Sequence, residues 1–398
     1  MRHSSAEASE KAPINWATVL FLVGSFLLAA VGTPLYAWRF GVTSFDIWHF
    51  VVMCYATGLA ITIGYHRLFA HRSFEGARVV KIVAGLFGAA TFENSILCWS
   101  SEHRYHHSYV DQDGFPYDPY NISKGFLHAH MGWLFRKMRP ELPRSNVKDL
   151  AKDPFLVWQD RHIMALMIVM GFGLPTLIGL LHATWVGASL VQGALAGFLF
   201  GGALRIVCVQ HATFFINSLA HTLGRQPYDS EGTARDSGIV AFFTFGEGYH
   251  NFHHTFQADY RNGIRPWHFD PGKWVIFLLE RTGLAWDLKK LPAETINLAR
   301  VKERRRRLEK TYSIKLAELR LQAVELMTLI ESSLDEVNAK VRRLWKEYRQ
   351  VKAQRSADRR VKLREIRHEL RRLRREFRLQ LRTWEDARAW ALVQVAAS

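Results

Sequence analysis

The sequence predicts an all-α integral membrane protein with four transmembrane helices, a cytosolic helical cap holding a metal site, and a C-terminal basic coiled-coil extension. Three observations carry that expectation. Four apolar runs each have about the 20 residues that a bilayer crossing needs. Eight histidines fall in three short clusters: His66 and His71; His103, His106 and His107; His250, His253 and His254. Most of the net charge of +17 lies after residue 300, where 27 Lys and Arg face 14 Asp and Glu.

The runs extend over residues 16–38, 45–65, 163–182 and 185–209, with Trp16, Tyr36, Trp38, Tyr65 and Trp185 at their ends as interfacial anchors. Four such runs in one body are rare in soluble folds. The turn at Ala183 and Thr184 carries no Lys or Arg, and the turn between the first two runs has only Arg39. The stretch from His66 to His162 carries thirteen, Arg139 among them. Positive-inside bias therefore puts that stretch and both termini in the cytoplasm. An even number of crossings separates the first two histidine clusters from the third, so all three face one side.

Residues 1–14 read as a tail without the features of a cleaved leader, so the first run is expected to be retained. Cys54, Cys98 and Cys208 have no paired spacing, which excludes a disulfide framework and a Cys-based zinc motif and fits a reducing, cytoplasm-facing chain. Residues 79–99 are apolar but interrupted by Lys81, Glu93 and Asn94, which suits a surface or channel-lining helix better than a span. Asn94 and Trp99 are the substrate-lining candidates there. Gly193, Gly197 and Gly201 recur at four-residue spacing, which lets another helix approach closely. The fourth helix is expected to run on through Ala212 towards His221.

In HRYHH and HNFHH the histidines stand at i, i+3 and i+4, one face of an α-helix, so the three rings of a box can converge on a nearby centre. In HRLFAH the spacing of five turns about 140° on a 3.6-residue helix. His66 is therefore expected to cap the second span, with His71 on a looser turn. Eight imidazoles exceed what one structural zinc takes, so two metal ions are expected. Imidazole suits iron, copper, nickel and zinc. His49, His128, His130, His162, His182, His211 and His268 read as core histidines, although His130 and His268 lie near the clusters in sequence.

The stretches GYHRLFAHRSF, EHRYHH, GFLHAHMGWLFRK, FFINSLAH and GEGYHNFHHTF, over residues 15–290, resemble the membrane-bound fatty acyl desaturases of the stearoyl-CoA desaturase type. The resemblance implies a cytosolic di-iron centre with nine histidine ligands and an asparagine linked through water. The ninth histidine is then His221 and the asparagine Asn217, four residues apart on one helix face. Glu247 and its flanking glycines would support the third box, since a ligating imidazole needs a partner on its other nitrogen. The implied reaction takes O2 and two electrons, removes two adjacent hydrogens from a saturated acyl chain, and leaves a cis double bond, commonly at the ninth carbon.

Arg136 and Lys137, after GW, resemble the pair that meets the phosphates of coenzyme A in this family; a positive-inside flank is the alternative. Where animal members have Arg-Asp before the second box, this chain has Ser101-Glu102. That departure leaves an acyl carrier protein or a membrane lipid as alternatives to acyl-CoA. The tail has only His368, whereas a fused haem module would want two axial histidines. A separate donor, a ferredoxin or a cytochrome b5-like protein with its reductase, is therefore expected. A membrane hydroxylase is the nearest rival, and a non-catalytic scaffold with structural metal is a rival of another class.

The membrane-bound domain is expected over residues 15–295 and the extension over 301–398. In the extension apolar residues alternate at steps of three and four: Tyr312, Leu316, Leu319, Ala323, Leu326, Ile330, then Val337 to Val351, then Leu363 to Leu381. The polar stretch from Lys352 to Arg360 is a candidate hairpin turn. Self-association, anionic lipid binding and docking of an acidic carrier are its candidate roles. Charge alone permits nucleic acid, but no recognition motif supports it.

Overall fold

The computed structural model describes residues 13–112, 118–137, 142–311, 317–354 and 358–397. Tyr312, Leu316, Arg139 and most of the 1–14 tail lie outside these residues. The chain packs as two units, residues 1–225 with 232–289, and residues 226–231 with 290–398.

In the first unit four helices are long and apolar enough to cross a membrane: α1 (Trp16–Phe40), α2 (Ser44–Ala70), α7 (Ile163–Val186) and α8 (Leu190–His221). Between α2 and α7 lie α3 (Arg78–Ala89), α4 (Ile96–Tyr109), α5 (Phe126–His130) and α6 (Pro154–Arg161). After α8 come α9 (Gly238–Phe243), α10 (His250–Thr255) and α11 (Pro271–Arg281). Two-residue strands β1 (Glu75–Gly76) and β2 (Ala285–Trp286) pair antiparallel and tie the end of the unit back to α2's exit.

Trp38 and Trp185 are each 84% exposed at span ends, as lipid-interface anchors would be. Trp185 ends the third span; it does not open the fourth as expected. Gly187 adopts a left-handed φ of 68° and stops α7, and Ser189 caps the next helix by accepting from Gln192 N. Spans α7 and α8 then meet backbone to backbone, because a Cβ on Gly197 would lie 2.3 Å from Pro175 O and one on Gly179 2.2 Å from Gly193 O. Arg205 is buried in α8 and donates to the carbonyls of Ala90, Gly171 and Gly201, which ties three segments together.

The 79–99 stretch is no span. It divides into α3 and α4 at a bend where Phe92 and Asn94 have φ of 62° and 76°. Ser95 caps α4 by accepting from Cys98 N, and Gln159 accepts from Ile96 N.

In the second unit α12 (Ala293–Thr311), α13 (Ala317–Ala353) and α14 (Arg359–Ala397) share one core of Leu298, Val301, Leu334, Val341, Phe377 and Trp384. Helices α13 and α14 run antiparallel: Arg367 donates to Tyr348 and Gln380 to Ser333. Helix α12 opens this unit ahead of residue 301, with Thr295 donating to Asn338 across the core.

Candidate metal centre

All the clustered histidines, with His221, meet in the first unit. Their side chains fall into two groups: His66, His71, His103, His107 and His253; and His106, His221, His250 and His254. Within each group one ligand atom per residue lies within 4.8 Å of every other. The contacts run Nε2 to Nε2: His66 to His253 3.0 Å, His71 to His103 2.8 Å, His253 to His107 3.0 Å, His250 to His221 3.1 Å, and His254 to His250 3.0 Å.

The three rings of a box do not share a centre, contrary to the reading from spacing alone. Successive helical residues fan by about 100°, so the adjacent pairs His106–His107 and His253–His254 divide between the groups. Each box gives its i, i+4 pair to one group and its middle histidine to the other. The first box corrects a second expectation. His66 does not cap α2, which runs on through Ala60–Ala70 as π-helix, with His71 N donating to His66 O five residues back. That wider turn brings residues five apart onto nearly one face, so His66 and His71 serve the same group.

The outward nitrogens are held as ligating imidazoles require. His66 Nδ1 donates to Glu247 Oε2 at 3.0 Å, His106 Nδ1 to Asp118 Oδ1 at 2.9 Å, and His221 Nδ1 to Thr233 Oγ1 at 2.7 Å. Thr233 donates in turn to Asp111. With the proton on Nδ1, each of these rings turns a bare Nε2 lone pair inward, against other buried imidazoles. Burial also pushes the pKa values of His71, His103, His107, His250, His253 and His254 well below the ordinary range, and the neighbouring histidines add to it. Converging neutral nitrogen lone pairs fit one metal ion per group.

Glu247 sits behind the first group, accepting from His66, Arg67 and Asn262. Burial alone would raise its pKa, but His66 and Arg67 outweigh burial and hold it at about 2. Its glycine neighbours are dictated by the backbone: Gly246 has φ 98°, and a Cβ on Gly248 would lie 2.1 Å from Ala241 N. Arg104, one residue past His103, straps the second box to the first by donating to Phe69 O, Ala70 O and Asp149.

Beside the histidines lies a cavity of ≈ 370 Å³, walled by Phe21, Ile61, Phe92, Phe214 and Phe245 and reached by His66, His103, His106 and His250. Asn94, Trp99, Arg136, Lys137 and Asn217 all line it. Asn94 is fixed by accepting from Tyr65 OH at its carbonyl, and Trp99 stacks on His103 at 4.7 Å. Arg136 and Lys137 are exposed, where residues 13–15 pair with 135–137. Asn217 stands one turn before His221 on α8.

Sequence reasoning missed Asp118, Thr233 and Asp111, although the acidic run DQDGFPYD begins four residues after His107, the last of the second box. It also missed Glu93, which accepts from Trp99 and Thr213 at the cavity and which burial pushes up to about 7. Glu102, from the departing Ser101-Glu102 pair, also lines the cavity and is pushed up to about 7 by burial. His130 bonds His211 and Ser218, and His268 stacks on Tyr249, so neither joins the two groups.

A family model described as fatty acid desaturase matches residues 46–280. The chain is 39% identical over 303 residues to a probable acyl-CoA desaturase of Schizosaccharomyces pombe, covering 75% of this chain and 59% of that one. It is 37% identical over 305 residues to acyl-CoA desaturase 1 of Saccharomyces cerevisiae, covering 75% and 56%. Against Delta(9)-fatty-acid desaturase fat-7 of Caenorhabditis elegans it is 33% identical over 305 residues, covering 73% and 85%. The chain thus spans under three fifths of the two yeast relatives' length. With four candidate spans, two histidine groups and this breadth of match, the chain belongs to the fatty acid desaturase family.

Proposed function

We propose that the protein is a fatty acyl desaturase that introduces a cis double bond at the ninth carbon of a saturated acyl chain, using O2 and two electrons. The observation that carries this reading is the meeting of two all-histidine groups with an apolar cavity. The names of the yeast and nematode relatives support acyl-CoA as carrier and the ninth carbon as target.

Two iron ions are the proposed metals: His66, His71, His103, His107 and His253 would hold one, and His106, His221, His250 and His254 the other, with Asn217 linked through water as the resemblance implies. Iron bound there supplies the redox chemistry with O2 that breaking an unactivated C–H bond requires. The chain's own residues do the rest. Glu247, Asp118 and Thr233 hold the Nδ1 protons of His66, His106 and His221 outward, which keeps each Nε2 available. Phe21, Ile61, Phe92, Phe214 and Phe245 hold the acyl chain in an apolar wall and exclude water. Trp99, locked by its bond to Glu93 and its stack on His103, fixes the wall beside the first group. Arg136 and Lys137, exposed on the cavity rim, suit the phosphates of a coenzyme A head group.

The desaturase domain occupies residues 15–295 with its histidines and both termini on the cytoplasmic side, and a separate donor, a ferredoxin or a cytochrome b5-like protein with its reductase, would supply the two electrons. Residues 301–398 are an appended helical unit with a coiled-coil seam. The test is the fatty-acid profile, with double-bond localisation, of a desaturase-deficient host that expresses the chain or its His253→Ala form. A new monounsaturated acid only with the intact chain is expected. Hydroxy acids in its place would make the protein a hydroxylase. Neither product, with good expression and a compatible donor, would favour a scaffold.

A further inference from the structure

Helix α14 carries a feature that the reaction does not use. Arg360, Arg364, Arg367, Arg371, Arg375, Arg378 and Arg382 are all exposed. At 100° per residue they fall within an arc of about 80°, and at 1.5 Å per residue they extend about 33 Å. Every residue of 360–382 that falls in that arc is arginine. The acids of the same stretch, Glu365, Glu369 and Glu376, lie on another face of the helix.

A charged helix face is ordinarily a solvated surface laced with ion pairs. This one is not laced. The ion pairs of α14 are made by Lys362, Arg372 and Arg374, all outside the arc, and by Glu385, which stands at the arc's edge one turn beyond Arg382 and pairs with Arg304. Among the described residues none of the seven arginines has a carboxylate partner; Arg367 meets only the hydroxyl and ring of Tyr348. The core of the unit uses the opposite flank, through Ile366, Leu370, Leu373, Phe377 and Trp384. Seven unneutralised guanidiniums in one row repel one another, and an array of anions relieves that repulsion.

We propose that this ridge binds the anionic phospholipid surface of the membrane that the same chain spans. A guanidinium takes a phosphate bidentately, and a straight row suits headgroups spread over a plane. The chain's own spans confine the ridge near a bilayer, which raises the local concentration of headgroups without a separate encounter. Val361, Leu379 and Trp390 are exposed beside the arc, 55%, 64% and 45% respectively, and suit shallow insertion between headgroups. Basic faces of this kind are drawn to anionic leaflets and released by salt.

The test uses the full chain in nanodiscs of phosphatidylcholine alone or of equimolar phosphatidylcholine and phosphatidylglycerol. Arginines are labelled with phenylglyoxal and read residue by residue by mass spectrometry. Labelling of Arg364, Arg371, Arg375 and Arg378 is expected to slow at least ~5-fold in the anionic discs and to recover at high salt. In a variant with those four changed to Gln, and with helicity unchanged by circular dichroism, Arg360, Arg367 and Arg382 should lose their protection. Equal labelling in both discs overturns the proposal, as does protection that survives the four substitutions. Protection by an added DNA duplex, with none from anionic discs, would also overturn it and assign the ridge to nucleic acid.

Discussion

His66 and His253 approach to 3.0 Å between Nε2 atoms although 187 residues separate them. Glu247 takes the Nδ1 proton of His66, so the Nε2 of His66 turns a bare lone pair towards His253, an arrangement that fits a metal ion shared by the two rings. If the proposed di-iron reading holds, the His253→Ala chain should lose about one of the two proposed irons and the proposed desaturation. Metal content by inductively coupled plasma mass spectrometry is the check, and unchanged iron would refute the grouping.

Among the described residues, Asp118 meets the second group through His106. Asp118→Ala leaves the Nδ1 proton of His106 without its acceptor, so affinity of that group for metal should fall about 10–100-fold. Competition with a chelator reads this as one ion lost early and one retained. Identical loss of both ions would show that Asp118 supports the whole cap instead.

Glu93 gives a pH dependence of defined sign. Its carboxyl is raised by burial from 4.5 to about 7, so the fold favours the protonated form. Its contribution is fully present below 4.5 and is lost as pH rises through about 7. The stability difference between Glu93→Gln and the parent should grow in favour of the variant by roughly 3 kcal/mol between about pH 5 and pH 8. Thermal unfolding in detergent across that range tests it, and a difference independent of pH would sink the assignment.

Gly197 faces Pro175 O, which a Cβ would approach to 2.3 Å, whereas a Cβ on Gly24 meets nothing within 4 Å. Gly197→Val should lower the unfolding midpoint by at least ~5 °C by forcing α7 and α8 apart, while Gly24→Val leaves it nearly unchanged. Equal effects would mean that the α7–α8 approach does not limit stability.

Arg136 and Lys137 stand on the cavity rim away from the histidines' own hydrogen bonds. Replacing both with Ala should raise KM for an acyl-CoA about tenfold with kcat nearly kept. A fall in kcat at constant KM would place the pair in a different role.

The sequence by itself determined the four apolar spans, because hydropathy over 20 residues depends on composition alone. It determined the box histidines as a set, because three clusters of imidazoles have no ordinary use in a core. It also determined α14's arginine row, because helical periodicity fixes which residues share a face.

Only the tertiary structure decided how nine histidines divide into five and four. That division depends on the 100° fan between neighbours, on the π-helical turn at Ala60–Ala70, and on how α4, α8 and α10 are aimed. Local spacing holds none of those orientations. Asp118, Asp111 and Thr233 were likewise illegible, because a hydrogen-bond partner is chosen by proximity after folding. The start of α8 moved from Trp185 to Leu190 because a left-handed glycine ended α7 within a continuous apolar stretch. Hydropathy cannot see that break, since glycine and its apolar neighbours read as one run.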